Sequence, residues 1–144
     1  MSLKQISVFV ENKPGKMQHL TEVLAKNKVD MRALSLAETS DFGIVRIIVD
    51  DVFAASTLLK DEGFIHNVTK VLGVSVPDEP GGLNTVLAVL SEACINVEYM
   101  YAFMGGKNVE HAYMIFRVED NKAAVAALAA KGIRCVDQDE LVQL

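Results

Sequence analysis

Two heptapeptides carry the side chains best suited to binding chemistry, Glu11-Asn12-Lys13-Pro14-Gly15-Lys16-Met17 and Pro77-Asp78-Glu79-Pro80-Gly81-Gly82-Leu83. Each stands between an alternating apolar run and a run with apolar residues at three- and four-residue steps, so each reads as the turn from a strand into a helix. The first N–H groups of such a helix have no internal partners and lie at the positive end of its dipole, where they attract an anion such as a carboxylate. Gly15 has no Cβ to hold a ligand off the backbone, Pro14 fixes the turn, and Asn12 offers both a donor and an acceptor. That set of groups suits a free amino acid. A Pro-Gly pair before a helix is also ordinary punctuation without any ligand, and spacing does not separate the two readings.

The remaining reactive residues form no catalytic or metal-binding pattern. His19, His66 and His111 have neither an i, i+4 pairing nor a nearby carboxylate at a metal-ligand spacing, so they read as solvated or half-buried imidazoles, and no cofactor or metal is expected. Cys94 and Cys135 read as small packing residues, and with only two cysteines in the chain reduced thiols in a cytoplasmic protein are expected. Asp50-Asp51 and Glu119-Asp120 precede apolar helical runs, where acids complement the helix dipole and cap the first turn. Tyr99, Tyr101 and Phe103 share one face of a strand, as base-stacking aromatics do in RRM domains. No basic flank accompanies them, and a sheet or subunit contact is the expected use.

These residues are positioned by an internal repeat. Pro14-Gly15 and Pro80-Gly81 are 66 positions apart (80 − 14), and the same offset places Met17, Leu20, Val23, Leu24, Val29 and Met31 on Leu83, Val86, Val89, Leu90, Ile95 and Val97. Further on the offset becomes 69, bringing Val49-Asp50-Asp51 onto Val118-Glu119-Asp120. The three-residue gain falls near Met104-Gly105-Gly106-Lys107-Asn108, where a hairpin can lengthen without disturbing its strands.

Each copy shows the same succession of periodicities. A strand precedes the turn and a helix follows it. Two strands come next, at 31–38 and 43–49 in the first copy and at 97–104 and 111–118 in the second. A second helix, at about 52–62 and 121–131, stops at Gly63 and Gly132, and a last strand lies near 64–69 and 134–136. The fold class is therefore α+β: two ferredoxin-like βαββαβ units, 1–70 and 71–144, with antiparallel sheets and both helices of a unit on one face. Residues 68–76 stay strand-like throughout, so no flexible linker separates the copies.

Bulk properties exclude several partners. The net charge of −5 comes wholly from the second half, since residues 1–70 hold nine Lys/Arg and nine Asp/Glu and residues 71–144 hold five and ten. An acidic chain without a basic stripe is a poor binder of phosphate backbones, so nucleic acid is not expected. No segment approaches the roughly 20 apolar residues of a membrane span, and the start lacks the pattern of an export signal.

The doubled βαββαβ pattern, with Glu11-Asn12-Lys13-Pro14-Gly15-Lys16-Met17 between first strand and first helix, resembles the ACT domain, a small-molecule regulatory module of amino-acid metabolism. The resemblance covers nearly the whole chain as two copies. It implies an effector amino acid held between ACT units by the turn of one and neighbouring strand positions. In serine-regulated phosphoglycerate dehydrogenases the Asn before the turn contacts the ligand, which points to Asn12, and a polar residue starting the second strand is also used, which points to Asp30 with Met31. The matching positions of the second copy, Asp78 to Leu83 with Asn96 and Val97, form a weaker site that takes an ammonium or a cationic side chain, or binds nothing, because Asp78 and Glu79 replace Asn12 and Lys13 and would repel a carboxylate. The expected activity is regulatory and not enzymatic, with a homodimer or a regulated enzyme as the partner. A ligand-free interaction module, or an enzyme on the same scaffold, is the alternative.

Overall fold

The computed structural model describes residues 2–104 and 110–144, so the lengthened hairpin expected at 104–108 lies, beyond Met104, outside the described residues. The elements run β1 (Leu3–Glu11), α1 (Lys16–Lys26), β2 (Met31–Glu38), β3 (Phe42–Val49), α2 (Val52–Asp61), β4 (Ile65–Pro77), α3 (Gly82–Glu92), β5 (Val97–Ala102), β6 (His111–Val118), α4 (Asn121–Ala130), β7 (Cys135–Val136) and α5 (Gln138–Gln143). Two compact units result: Lys4–Thr69, and Lys70–Leu144 with the chain's first residues up to Leu3. Strand order is β2-β3-β1-β4 in the first and β5-β6-β4-β7 in the second, so both carry the ferredoxin-like arrangement.

Period-two and period-3.6 stripes explain the layering. In the first unit Ile6, Val8 and Val10 of β1 and Val45, Ile47 and Val49 of β3 share a core with Leu20 and Leu24 of α1 and Ala55 and Leu59 of α2. Both helices therefore cover the same sheet face. The second unit repeats this with Val74 and Val76, Phe116 and Val118, Val86 and Leu90, and Ala124 and Leu128. Burying a side chain of this size contributes about 1.5–3 kcal/mol, so these two clusters dominate the stability of their units.

Helix ends are set by local chemistry. Asp51 and Asp120 cap α2 and α4 by accepting from the N–H groups of Ala54 (2.9 Å) and Ala123 (3.0 Å), the role read for these acids from sequence. The helices α1 to α4 all finish in one motif, in which the second residue beyond the cap returns its N–H to the last turn: Val29 to Leu24 O, Phe64 to Leu59 O, Ile95 to Leu90 O and Ile133 to Leu128 O. The residue before each is left-handed. It is Gly63 or Gly132 after the second helices, and Lys28 (φ 55) or Cys94 (φ 56) after the first.

Two details depart from the sequence expectations, the place of Cys94 and a helix after β7. Cys94 does not pack at the end of a helix but is exposed in this left-handed turn. As the strand-like run at 68–76 indicated, the last strand of the first copy and the first strand of the second are one 13-residue strand, β4. A short helix, α5, follows β7; Asp137 caps it and Leu141 is its buried residue. The aromatic face of β5 is largely covered, with Tyr101 and Phe103 buried, so it offers no platform for base stacking.

Candidate functional site

The two Pro-Gly turns are built identically. In the first, Lys13 N–H donates to Glu11 O, Asn12 N–H to Asp41 O, Lys16 N–H to Lys13 O and His19 N–H to Gly15 O. In the second, Glu79 donates to Pro77 O, Asp78 to Glu110 O, Gly82 to Glu79 O and Thr85 to Gly81 O. Gly15 (φ 83) and Gly81 (φ 86) are left-handed N-caps without a side-chain cap bond. Glycine is thus needed for the backbone angle as well as for access, and the space where a Cβ of Gly15 would stand is open. The amides of Met17 and Gln18, which a side chain would cap in α2, α4 or α5, have no cap in α1.

Two cavities flank the first turn. One of about 120 Å³ is lined by Asn12, Lys13, Met17, Leu36, Glu38 and Gly43, with Val10 and Glu11. The other, about 350 Å³, lies between Lys16 and His19 of α1, Phe9 and Glu11 of β1, Phe42 of β3, and the Glu62–Ile65 junction. The smaller has room for only a few waters at about 30 Å³ each, enough for one polar end of a ligand. The larger reaches the roughly 300–1,000 Å³ of small-molecule sites. It offers a cation (Lys16), carboxylates (Glu11, Glu62) and apolar walls (Phe9, Phe42, Phe64), and a tilted His19–Phe64 ring contact of 5.5 Å holds one side.

Charge at the turn is already partly organised. Lys13 Nζ pairs with Glu11 at 2.9 Å, and this hydrogen bond, with the charges of Lys13 and Lys16, holds the Glu11 carboxyl below the usual carboxylate range. Asn12 Nδ2 donates to Thr39 O at 3.1 Å, which fixes the side chain against the β2–β3 connection. Its Oδ1 and second amide hydrogen have no partner among the described residues, so they remain available to an ammonium or carboxylate.

The structure assembles Glu11 to Met17 but does not bring Asp30 and Met31 to them within the unit. Glu11 pairs with Phe42 and Met31 with Val49 of β3. These β3 positions are seven residues apart (49 − 42), roughly 24 Å along a strand. At that far end Asp30 forms an ion pair with Arg32 (3.3 Å), and its N–H donates to Asp50 Oδ1. Val97, next to Asn96, is likewise paired with Val118, whereas Pro77 is paired with His111. Gly82 also differs from Lys16, its counterpart at the first turn: it is buried and its Cα abuts the Pro77 carbonyl, so a Cβ there would collide. Asp78, Glu79, Pro80 and Leu83 therefore form a turn without the cation that Lys16 supplies.

Sequence reading missed Phe9, His19, Phe42 and the Glu62–Ile65 junction. Their approach depends on strand register and on the return of α2 at Gly63, and neither leaves a local motif. It also missed Ser56, whose Oγ lies 2.9 Å from His66 Nε2, with His66 Nδ1 3.0 Å from Phe64 O. This has the order of nucleophile, base and orienting group. Neither residue lines the cavities described above, and the pair fastens α2 to β4. Among the described residues no group of three or more His, Cys, Asp and Glu is placed to hold a metal, and no helix is long and apolar enough to cross a membrane.

A family described as the ACT domain pair matches residues 1–144. A solved protein from Bacteroides thetaiotaomicron is similar at 39% identity and a TM-score of 0.92, covering 100% of this chain and 98% of its own. The ligand-free regulatory subunit of aspartate kinase from Thermus thermophilus shares the fold at 16% identity and a TM-score of 0.62, covering 88% of this chain and 91% of its own. The corresponding subunit from Thermus flavus does so at 14% and 0.62, covering 88% and 90%. No curated protein matches the sequence. With two βαββαβ units, a Pro-Gly turn opening the first helix of each, and a match over the full length, the chain belongs to the ACT domain pair family, whose domains are typically ligand-binding regulatory modules.

Proposed function

We propose that the protein is a non-catalytic regulator that binds a free amino acid at the Asn12 corner. The observation that carries this reading is the uncapped start of α1, beside a cavity offering Lys16 for a carboxylate, Glu11 and Glu62 for an ammonium, and phenyl rings for a side chain. Asn12 Oδ1 supplies a further acceptor. Asp30 and Met31 enter such a site only if a different ACT unit contributes them. The second turn, Asp78 to Leu83, is the weaker site, because Asp78 and Glu79 repel a carboxylate; Asn96 and Val97, at the far end of the sheet, join it only if a different ACT unit contributes them.

Regulation would act through linkage: a ligand that prefers one arrangement shifts the population toward it and changes the contact with a second copy or a regulated enzyme. The structural relatives that are regulatory subunits of aspartate kinase favour a target in amino-acid metabolism. The free thiols Cys94 and Cys135 suit the reducing cytoplasm. A thermal-shift screen against the twenty amino acids tests the proposal, since a ligand at about 100 times its dissociation constant adds roughly 2.7 kcal/mol. One or a few amino acids should raise the melting temperature of the wild type and not of Asn12→Ala. A flat response across the panel would favour the ligand-free interaction module.

A further inference from the structure

The second unit contains a cavity of about 220 Å³ lined by Ser75, Pro77, His111, Tyr113, Arg134 and the Gly132–Ile133 backbone turn. It is the repeat counterpart of the larger cavity beside the Asn12 turn. Offsets of 66 and 69 carry Phe9, Phe42 and Ile65 onto Ser75 (9 + 66), His111 (42 + 69) and Arg134 (65 + 69), and Glu11 onto Pro77 (11 + 66). At the same place in the fold, three apolar side chains have become a hydroxyl, an imidazole and a guanidinium, and a carboxylate has been lost.

We propose that this cavity is a separate binding site for a small oxyanion, a carboxylate or phosphate group, with Arg134 as its principal contact. Ser75, Tyr113 and Arg134 carry hydrogen-bond donors, and no carboxylate is among the lining residues, the Glu140 carboxylate paired with Arg134 not being one of them, although this half of the chain holds ten acids against five bases. The guanidinium fork matches oxyanion geometry. Its backbone is fixed because Ser75 N–H donates to Arg134 O at 3.0 Å, and its side chain is steadied by an ion pair with Glu140. Tyr113 is buried to 6% exposure and packed edge-on against Phe103 at 6.1 Å, which orients the phenol. The site is independent of the Asn12 corner and of what binds there.

Amide chemical shifts of the full chain, titrated with inorganic phosphate and separately with acetate at constant ionic strength, test the proposal. Saturable shifts confined to Ser75, Tyr113, Arg134 and their neighbours are expected from at least one anion. The anion that saturates at lower concentration identifies the head group. Arg134→Gln, at an exposed position, should weaken binding at least tenfold, and Arg134→Lys should restore part of it. Tyr113→Phe, which keeps the packed ring, should weaken binding in an otherwise unchanged spectrum and serves if Arg134→Gln perturbs the fold. Non-saturating or dispersed shifts with both anions, or saturation unchanged in both Arg134→Gln and Tyr113→Phe, would overturn it. Asn12→Ala should leave these shifts intact, which separates this site from the amino-acid site.

Discussion

At the scale of single residues, backbone angle rather than side-chain contact decides several positions. Gly15 is left-handed with open space around it, so Gly15→Ala should destabilise through backbone strain alone, by roughly 1–2 kcal/mol. Lys28 already bears that strain. Lys28→Gly should relieve it against an unfolded-state entropy cost of about 0.4–1 kcal/mol, for a net gain of a few tenths to about 1 kcal/mol in urea unfolding. The thiols should separate sharply: exposed Cys94 reacts with a chromogenic disulfide reagent in the native protein, and Cys135, whose burial raises its pKa, reacts only after denaturation. Glu11 carries a pH signature. Its lowered pKa stabilises the fold above the usual carboxylate range, and the contribution is lost as pH falls through the lowered value. Any stability difference between wild type and Glu11→Gln should therefore be present at neutral pH and vanish on acidification, as followed by denaturant titrations.

At the scale of elements, the sequence announced whatever depends on near neighbours. Asp51 and Asp120 were legible as caps because the cap and the amide it satisfies lie three residues apart, and Gly63 and Gly132 were legible as helix stops. Asp51→Ala and Asp120→Ala should each cost about 0.5–2 kcal/mol in denaturant unfolding. The continuous run at 68–76 correctly indicated unbroken strand. Helix α5 was not anticipated, since six residues with one buried apolar side chain, Leu141, make no readable stripe; Asp137, three residues before Glu140, was the available sign. Asp30 illustrates what a motif cannot supply. Its place at the start of β2 was read correctly, but the antiparallel pairing carries that start to the far end of the sheet from the turn. The larger cavity was invisible for the same reason, because strand register and the return at Gly63 assemble it from four separate stretches.

At the scale of the whole molecule, a doubled ACT unit has kept its backbone and changed the chemistry it displays. Both turns preserve the same hydrogen bonds, yet Asn12 and Lys16 become Asp78 and Gly82. The cavity beside each turn changes from apolar and mixed-charge to donor-rich. If both proposed sites bind, the two units of one fold respond to different small molecules. The most direct measurement is isothermal titration calorimetry of the amino acid that most raises the melting temperature, with wild type and Asn12→Ala compared below both melting temperatures. The wild type should give a saturable heat that Asn12→Ala reduces at least tenfold in affinity. An equal heat and affinity in the variant, or no heat from any of the twenty amino acids, would contradict a receptor at the Asn12 corner.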